Sequence, residues 1–418
     1  MKKIMSTAAA ALAALQITGQ LAYAETVGPV TDDLGVVRVN KDKPIVIGGL
    51  LAMSGPDSSL GIDEFRGAEL GFADAENMIA GHPIRFTVED GQCNAEGGQT
   101  AATKLASDRS IVVVVGSSCS SEARAGAPIL WSAGLTAVSP GASAPSLTFP
   151  DRPEGLKGFL RTMYNDTFAS KVAARYAFNG MKAKTAATVH DGSPVAEQVV
   201  KAFTEDFTAL GGSVTTAEAV GPNDTDFRPM LAGMARKKPD IIFMPLFGSA
   251  AAYVVRQAAE VPELKGVPKL GTDGLFNPAF LEASGDASVG FRIIGVDSSP
   301  NILGEKYKVF LDKYQAKYGE GPLTGFHTYG YDAAGIVKAS IEKVAVTDAE
   351  GNTYIGKKAL HDALMATKDF DGLSGKITCS ENGDCGTAAF AIFEYTSSDP
   401  ASFKPGTNPI KIYQEPAK

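Results

Sequence analysis

Two groups of small, hydroxyl-bearing residues occupy the positions where this chain could do chemistry. The first group, Gly116–Ser121, follows the apolar run Ile111–Val115, which is typical of a strand buried on both faces of a parallel sheet. A helix is predicted to begin inside this group, and its free N–H groups and dipole would attract an anion. The second group, Ser139–Ser143, follows the apolar segment Leu135–Val138.

These two groups are predicted to face one crevice. Open α/β sheets bind ligands at the carboxyl ends of their strands, and both groups come directly after a predicted strand. Ser143 and the backbone amides around Gly141 would then lie beside the first helix start. The residue types and their placement predict a pocket for a small carboxylate.

Patterns for other chemistry are incomplete. The four histidines, His82, His190, His327 and His361, stand apart from carboxylates and cysteines, so no metal site is expected. The segment Gly351–Lys358 is close to a phosphate-binding loop, but it lacks the Ser or Thr after Lys357 and no buried strand precedes it. We therefore expect neither a cofactor nor an enzymatic activity.

The start of the chain reads as an export signal. A basic start, Met1–Lys3, precedes the apolar stretch Ala8–Leu15 and the cleavage pattern Ala22-Tyr-Ala24. A membrane anchor is the alternative, but the apolar stretch is much shorter than the about 20 residues that span a bilayer. We predict a signal peptide over residues 1–24, cleavage after Ala24, and a periplasmic protein whose residues 25–43 form a flexible lead.

Length and charge limit what the mature chain can be. Removal of the signal leaves about 390 residues, which is more than one core usually serves, so two domains are expected. The net charge of −8, with no basic block, argues against a nucleic acid or an anionic membrane as partner.

The four cysteines predict two disulfides, because an even number in an exported chain is typical of a disulfide framework. Cys379 and Cys385 enclose an Asn-Gly turn, so they would close a hairpin, and Cys93 would pair with Cys119 beside the proposed pocket. The alternatives are free buried thiols or a zinc site, although no pair of cysteines shows metal-ligand spacing.

Strand and helix patterns alternate along the chain, and the alternation restarts after a Pro- and Gly-rich loop at residues 140–158. Such alternation predicts parallel sheets covered by helices. The expected strands are Ile45–Leu51, a strand through Ile84, Phe86 and Val88, Ile111–Val115, Leu135–Val138, Thr185–His190, Ser213–Val220, Asp240–Leu246, Lys269–Thr272 and Phe291–Val296. The expected helices are Gly61–Ile79, Asn94–Asp108, Asp166–Asn179, Pro194–Leu210, Thr225–Lys237, one starting at Gly248, Glu305–Tyr318, Tyr329–Val344 and Lys357–Thr367.

Several short motifs together resemble one known family. The chain resembles the branched-chain amino-acid family of periplasmic solute-binding proteins, the Leu/Ile/Val-binding type that serves ABC importers, from about Lys43 to Tyr395. The motifs that carry the resemblance are Ala52–Pro56, Phe65–Ala68, Glu89-Asp90, Gly116–Ser120, Ser139–Pro145, Leu147-Thr148, Leu160–Thr162, Val189–Asp191, Asp224–Phe227, Arg256–Ala258 and Gly271–Gly274.

The resemblance implies an α/β fold of the type I periplasmic-binding-protein class, with two Rossmann-like lobes of parallel sheets and three hinge crossings. Lobe 1 would comprise residues 44–163 and 296–378, and lobe 2 residues 164–295 and 379–418. The chain would be the monomeric binding component of an ABC importer, closing over a small amino acid or related zwitterion and docking on a membrane permease. A binder of another small carboxylate or amide, including aromatic acids, and a sensor that docks on a membrane receptor stay open.

The resemblance also implies a ligand site. Ser120 and Ser143, helped by the backbone around Gly141, fall where the family holds a ligand carboxylate, and Asp273 falls where a carboxylate receives the ammonium. The alternatives to a role in ligand binding are a helix N-cap for Ser120 and a turn residue before Gly274 for Asp273.

Other positions around the ligand differ from the best-known members of the family. Aromatic rings around the ligand side chain are replaced by Leu60 and approximately Val195, while Phe247 keeps a ring without a hydroxyl. The shape of the side-chain pocket is therefore expected to differ from the Leu/Ile/Val type. Further candidates to line the pocket are Tyr164, Asp166, Phe247 and Tyr329.

Overall fold

The computed structural model describes residues 24–221, 224–297, 300–386, 389–404 and 406–414. The predicted signal peptide, apart from Ala24, lies outside the described residues. Within the described ranges, no helix combines the length and the apolar character that a membrane crossing needs.

The first part of the chain contains a six-stranded sheet. The elements of this part are β1 (Glu25–Val27), β2 (Val30–Asp32), β3 (Val36–Val39), β4 (Ile45–Leu51), α1 (Ser58–Ala73), β5 (Met78–Ile79), β6 (His82–Asp90), α2 (Ala95–Ser107), β7 (Ile111–Gly116), α3 (Ser120–Ser132), β8 (Ala137–Ser139) and β9 (Phe159–Arg161). The strand order in the sheet is β5-β6-β4-β7-β8-β9, parallel except for β5. Every residue of β4 and β7 is buried, as expected for central strands covered by helices on both faces.

The second part builds a separate sheet. Its elements are α4 (Thr167–Arg175) followed by a π-helical turn (Tyr176–Gly180), β10 (Thr185–His190), α5 (Pro194–Ala209), β11 (Ser213–Ala219), α6 (Arg228–Arg236), β12 (Ile241–Phe243), α7 (Gly248–Glu260), β13 (Lys269–Thr272), α8 (Pro278–Ser284) and β14 (Arg292–Val296). These five strands are parallel, in the order β11-β10-β12-β13-β14.

The last part of the chain contributes elements to both lobes. Its elements are α9 (Pro300–Leu303), α10 (Glu305–Tyr318), α11 (His327–Val344), β15 (Val346–Thr347), β16 (Thr353–Gly356), α12 (Lys357–Met365), β17 (Phe370–Asp371), β18 (Lys376–Ile377), β19 (Phe390–Glu394) and β20 (Ile410–Gln414). Helices α10 and α11 pack on α1 in lobe 1, whereas β19 and β20 extend the second sheet in antiparallel fashion. The chain therefore passes three times between two α/β lobes, which confirms the predicted fold class.

The predicted helix Gly61–Ile79 is too long at its end. Helix α1 stops at Ala73, and Met78–Ile79 forms a two-stranded hairpin with the start of β6. The turn residues Ala80 and Gly81 have φ of +50° and +81°, the left-handed values that a two-residue hairpin turn requires. The apolar spacing that suggested one continuous helix therefore belongs to two elements.

The predicted flexible lead is instead an ordered part of lobe 1. Strand β3 pairs antiparallel with β16, and its residues Val37 and Val39 are buried. The buried carboxylate of Asp32 accepts hydrogen bonds from the N–H groups of Lys358 and Ala359 at 2.8 and 3.0 Å, so it holds the start of α12.

The predicted start of the second segment of lobe 2, at residue 379, also needs correction. Both predicted disulfides, Cys93–Cys119 and Cys379–Cys385, are present. The loop that Cys379–Cys385 closes lies against lobe 1, because the Arg161 N–H donates to the Gly383 carbonyl at 2.9 Å and the Cys385 N–H donates to the Arg161 carbonyl at 3.1 Å. Residues 379–386 thus belong with lobe 1, whereas β19 belongs with lobe 2.

Candidate ligand-binding cleft

A cavity of about 570 Å³ lies between the two lobes, at the carboxyl ends of the central strands. Both lobes contribute to its wall. Eight of the ten residues predicted to surround the ligand line it: Leu60, Ser120, Gly141, Ser143, Asp166, Val195, Phe247 and Asp273.

The start of α3 forms one side of the cavity. The carboxylate of Glu122 accepts the N–H groups of Ser118 and Cys119 at 2.9 and 3.0 Å, so it occupies the amides nearest the strand. The first helical amides, those of Ser120 and Ser121, have no carbonyl within the helix to bind, and both residues line the cavity. Cys119 takes the N-cap position, so the alternative of Ser120 as N-cap is wrong.

The turn after β8 lies next to the start of α3. Its shape is held by the Ser139 hydroxyl, which donates to the Ser117 carbonyl at 2.7 Å and accepts the Ala142 N–H at 2.9 Å. The Ser120 hydroxyl accepts the Ala144 N–H at 3.1 Å, so the two predicted groups are joined directly. The turn needs its glycine, because a Cβ on Gly141 would lie 2.1 Å from Glu64 Oε1.

A buried carboxyl group supports this wall from behind. Glu64 is fully buried in α1, and it accepts a 2.5 Å hydrogen bond from the Ser118 hydroxyl. Burial raises the pKa of Glu64 well above its ordinary value, although the Ser118 hydrogen bond opposes the shift. Sequence reasoning missed Glu64 and Glu122; for Glu122 a signal was available, since an acid three residues after a helix cap is a capping-box pattern.

Two aspartates face these hydroxyls. Asp166 accepts a 2.5 Å hydrogen bond from the Ser143 hydroxyl, and burial together with the charge of Asp273 raises the pKa of Asp166 to about 8. Asp273 follows β13 and accepts hydrogen bonds from the Tyr164 hydroxyl and from backbone amides. These bonds oppose the effect of burial, which raises the pKa of Asp273 to about 6. Asp273 is thus both a turn residue and part of the cavity wall.

The two predicted tyrosines lie behind this wall instead of in it. Tyr164 is buried, and its ring packs edge-on against Tyr329 and Phe390 with centroid distances of 6.1 and 4.6 Å. Tyr329 lines a small adjoining cavity of about 30 Å³, which Asp273 also borders. The Tyr329 hydroxyl is buried without a hydrogen-bond partner among the described residues. Neither tyrosine lines the main cavity; Tyr164 contacts its wall through Asp273, and Tyr329 packs against Phe326 of that wall.

Two further aspartates line the cavity from opposite lobes, and neither was predicted to do so. Asp57 precedes α1 but its side chain does not cap that helix, and Asp191 follows β10. Burial and the charge of Asp191 raise the pKa of Asp57 to about 6. The described residues that line the cavity include four aspartates and no Lys, Arg or His. The lining therefore favours a ligand that carries positive charge.

The lobes also contact each other outside the cavity. Gln198 of α5 accepts the Ser146 N–H at 2.8 Å and donates to the Ser146 hydroxyl at 2.7 Å. Ser146 lies in the short helical turn that follows the Ser143 turn. These two hydrogen bonds join lobe 2 to the segment that carries Ser143.

Comparison with known proteins agrees with this architecture. The periplasmic binding protein family matches residues 44–400. The Leu/Ile/Val-binding protein BraC3 of Rhizobium johnstonii is 27% identical over 354 residues, which are 84% of this chain and 91% of the relative. LivJ of Streptococcus pneumoniae, a branched-chain amino acid transporter substrate-binding protein, is 25% identical to this chain in sequence. Its crystal structure in complex with isoleucine matches this structure with a TM-score of 0.74. It matches over 85% of this chain and 97% of LivJ.

A solute-binding protein of an ABC transporter from R. palustris, in complex with benzoate, is similar in fold, with a TM-score of 0.72. It is 22% identical and covers 89% of this chain and 96% of its own. At this identity the likeness shows the fold alone. No cluster of three or more His, Cys, Asp or Glu within the described ranges is arranged to hold a metal ion.

Proposed function

Because the chain belongs to the periplasmic binding protein family, we propose that it is the extracytoplasmic binding component of an ABC importer, with a small amino acid or related zwitterion as its ligand. The observation that carries the proposal is the pairing of two unlike walls in one cavity. Hydroxyls and free helix amides lie on the side of Ser120 and Ser143, and carboxylates lie on the side of Asp273.

Each wall suits one end of a zwitterion. The amides of Ser120 and Ser121 would bind the ligand carboxylate at the positive end of α3. The Ser143 hydroxyl, which donates to Asp166 in this structure, would donate to the ligand carboxylate instead. Asp273 would receive the ammonium in a charge-assisted hydrogen bond. The relatives named above support the same class, since BraC3 is a Leu/Ile/Val-binding protein and LivJ is bound to isoleucine.

The ligand side chain would meet an apolar part of the cavity. Leu60, Val195 and Phe247 all line it, in accord with the expected loss of two aromatic rings. An aliphatic wall with one ring suits a small apolar side chain.

Closure would couple binding to transport. The described residues join the lobes by chain crossings and by contacts such as that of Gln198 with Ser146, so a hinge motion would open the cavity. A ligand that bonds to Ser143 on one side and Asp273 on the other stabilises the closed form, which would dock on the membrane permease. Export to the periplasm with cleavage after Ala24, and a monomeric state, belong to the same proposal.

A thermal-shift screen of the protein without residues 1–24 tests the ligand class. The probes are amino acids, their amides and aromatic acids at matched concentrations. A ligand present at about 100 times its Kd stabilises the folded state by about 2.7 kcal/mol, which is readily measured. Stabilisation by amino acids, with compaction in small-angle scattering, is the expected result; stabilisation by aromatic acids alone would overturn it.

A further inference from the structure

Arg161 is a fully buried cation that no feature of the proposed binding reaction uses. It is the last residue of β9, at the point where the chain first leaves lobe 1, and its side chain is 0% exposed. It does not line the cavity. A buried guanidinium is retained only when its donors are satisfied, so its partners indicate its role.

One end of the guanidinium holds the turn that carries Ser143. Nη1 of Arg161 donates to the carbonyl oxygens of Ala142 and Ala144, at 3.0 and 2.9 Å. These two carbonyls flank Ser143 on either side. With both of them held by Arg161, the backbone on each side of Ser143 is fixed, and the Ser143 hydroxyl reaches the cavity residue Asp166.

The other end of the guanidinium is held by Asp384. Nε of Arg161 donates to the Asp384 carboxylate at 2.6 Å, and that carboxylate also accepts hydrogen bonds from Thr148 at 2.9 Å and Asn165 at 3.3 Å. Thr148 in turn accepts a hydrogen bond from Nη2 of Arg161. The network therefore connects the turn, the first crossing and the residue that precedes Cys385.

A disulfide restricts the position of Asp384. Asp384 lies within the seven-residue ring that Cys379 and Cys385 close, with a sequence separation of 6. The Asp384 N–H donates to the Ser380 hydroxyl at 3.1 Å and its carbonyl accepts the Ser380 N–H at 2.8 Å. The backbone bonds of Arg161 with Gly383 and Cys385 then fix this ring against β9.

We propose that the loop closed by Cys379 and Cys385 is a brace for the ligand-binding turn, and that Asp384 and Arg161 are positioning residues that aim Ser143 into the cavity. The proposal rests on the proposed function in one respect, namely that Ser143 contacts the ligand. Removal of the brace loosens the turn and weakens ligand binding, although the loop, Asp384 and Arg161 do not line the cavity.

The first test opens the ring and leaves Asp384 in place. The variant is Cys379→Ser/Cys385→Ser, and the two measurements are hydrogen exchange at the amides of residues 142–144 and calorimetric binding of L-isoleucine, or of whichever amino acid gives the largest thermal shift. We expect faster exchange at these amides and a Kd weaker by about tenfold. An unchanged exchange rate at these amides would overturn the brace.

A second variant, Asp384→Asn, removes the charge that holds Nε of Arg161 without altering the ring. We expect the same two changes. If Asp384→Asn does not fold, the ring-opening variant still decides, because it keeps the ion pair.

A matched control separates a brace from general stabilisation. Arg292 and Glu394 also form an ion pair through Nε, 2.8 Å from Oε2, which joins β14 and β19 in the sheet of lobe 2. Glu394→Gln should leave exchange at residues 142–144 and the Kd unchanged. Equal effects from Glu394→Gln and Asp384→Asn would overturn the assignment of a specific positioning role.

The two measurements also distinguish failure of the brace from failure of the proposed function. Faster exchange with an unchanged Kd means that the turn is braced but that Ser143 does not hold the ligand, which overturns the link to affinity. Faster exchange with a weaker Kd supports both steps.

Discussion

Asp63 is buried inside lobe 1 and Asp273 lies half-buried on the cavity wall, and the two carboxylates differ in what surrounds them. Asp63, in α1, is fully buried and accepts hydrogen bonds from the Tyr314 hydroxyl at 2.9 Å, the Thr324 hydroxyl at 2.7 Å and His327 Nδ1 at 2.8 Å. The backbone N–H groups of Leu323 and His327 complete the set. Burial alone would raise the pKa of Asp63, but His327 and these hydrogen bonds outweigh it and lower the pKa.

Asp273 has fewer partners and an unfavourable neighbour. Its oxygen atoms accept hydrogen bonds from Tyr164 and backbone amides, no cationic side chain among the described residues bonds to it, and its charge raises the pKa of Asp166. Burial dominates, so the pKa values of both aspartates lie above their ordinary range. A carboxylate that is compensated internally has a structural role, whereas one that still lacks a cation is ready to receive it from a ligand.

The largest expected effect comes from the compensated carboxylate. Asp63→Asn leaves the groups around it, His327 included, without their shared acceptor, so the free energy of unfolding should fall by about 3–5 kcal/mol. Denaturant unfolding of the ligand-free protein measures this loss. A loss below about 1 kcal/mol would contradict the contrast with Asp273.

Asp273→Asn should weaken ligand binding without lowering the stability of the ligand-free protein. Truncating one partner of a buried charged pair typically costs about 2–5 kcal/mol, so amino-acid binding should weaken by at least roughly thirtyfold. The ligand-free protein should be as stable as before or more stable, because the substitution removes a poorly compensated charge. Calorimetry and denaturant unfolding of the same sample provide both values; undiminished amino-acid binding would refute the role of Asp273.

The stability of the fold should depend on pH in opposite directions for Asp63 and for Asp273. A raised pKa means that the folded state binds more protons, so Asp273 and Asp166 should lower stability as the pH rises from about 4 through about 8. Asp63 contributes in the other direction, since its lowered pKa stabilises the fold above about pH 4 and that contribution is lost at lower pH. Unfolding of the ligand-free protein between pH 5 and 8 should therefore become easier with rising pH, and less so in Asp273→Asn.

The ligand affinity between pH 5 and 8 should also depend on the raised pKa values of Asp273 and Asp166. Binding of an ammonium group should strengthen from pH 5 to 8 as Asp273 and Asp166 lose their protons, with Asp57 acting in the same direction. A plain carboxylate ligand should bind more weakly over that range. Calorimetry at three pH values distinguishes the two, and affinity that falls for an amino acid would contradict the assignment.

The smallest effect is expected on the hydroxyl wall. Ser120→Ala removes one hydroxyl but leaves the amides of Ser120 and Ser121, so binding should weaken by about 0.5–1.5 kcal/mol, or up to about tenfold. The loss should be similar for amino acids and for plain carboxylates, unlike that of Asp273→Asn. A larger loss for amino acids than for carboxylates would contradict the division of the two walls.

Much of the fold could be predicted because the patterns involved are local. Strands β4, β10 and β13 and helix α10 have the predicted ends. The continuous apolar run of β4 and the glycines that flank α10 are local signals of this kind. The end of α1 was wrong because the left-handed turn at Ala80-Gly81 carries no strong local signal. The lead was wrong because the partner of β3, strand β16, lies more than 300 residues further along the chain.

The position of Asp273 followed only from the resemblance to the family. By itself the patterning of the sequence determined the two α/β lobes, both disulfide pairs, and the gathering of Ser120 and Ser143 at strand ends that face one cavity. These depend on periodicity, on cysteine pairing and on the rule that parallel strands place their carboxyl ends at one edge. Only the tertiary structure decided that Asp63 is compensated and Asp273 is not, and that Asp384 reaches Arg161. Those outcomes depend on desolvation and on contacts between residues more than 100 positions apart, neither of which a local pattern encodes.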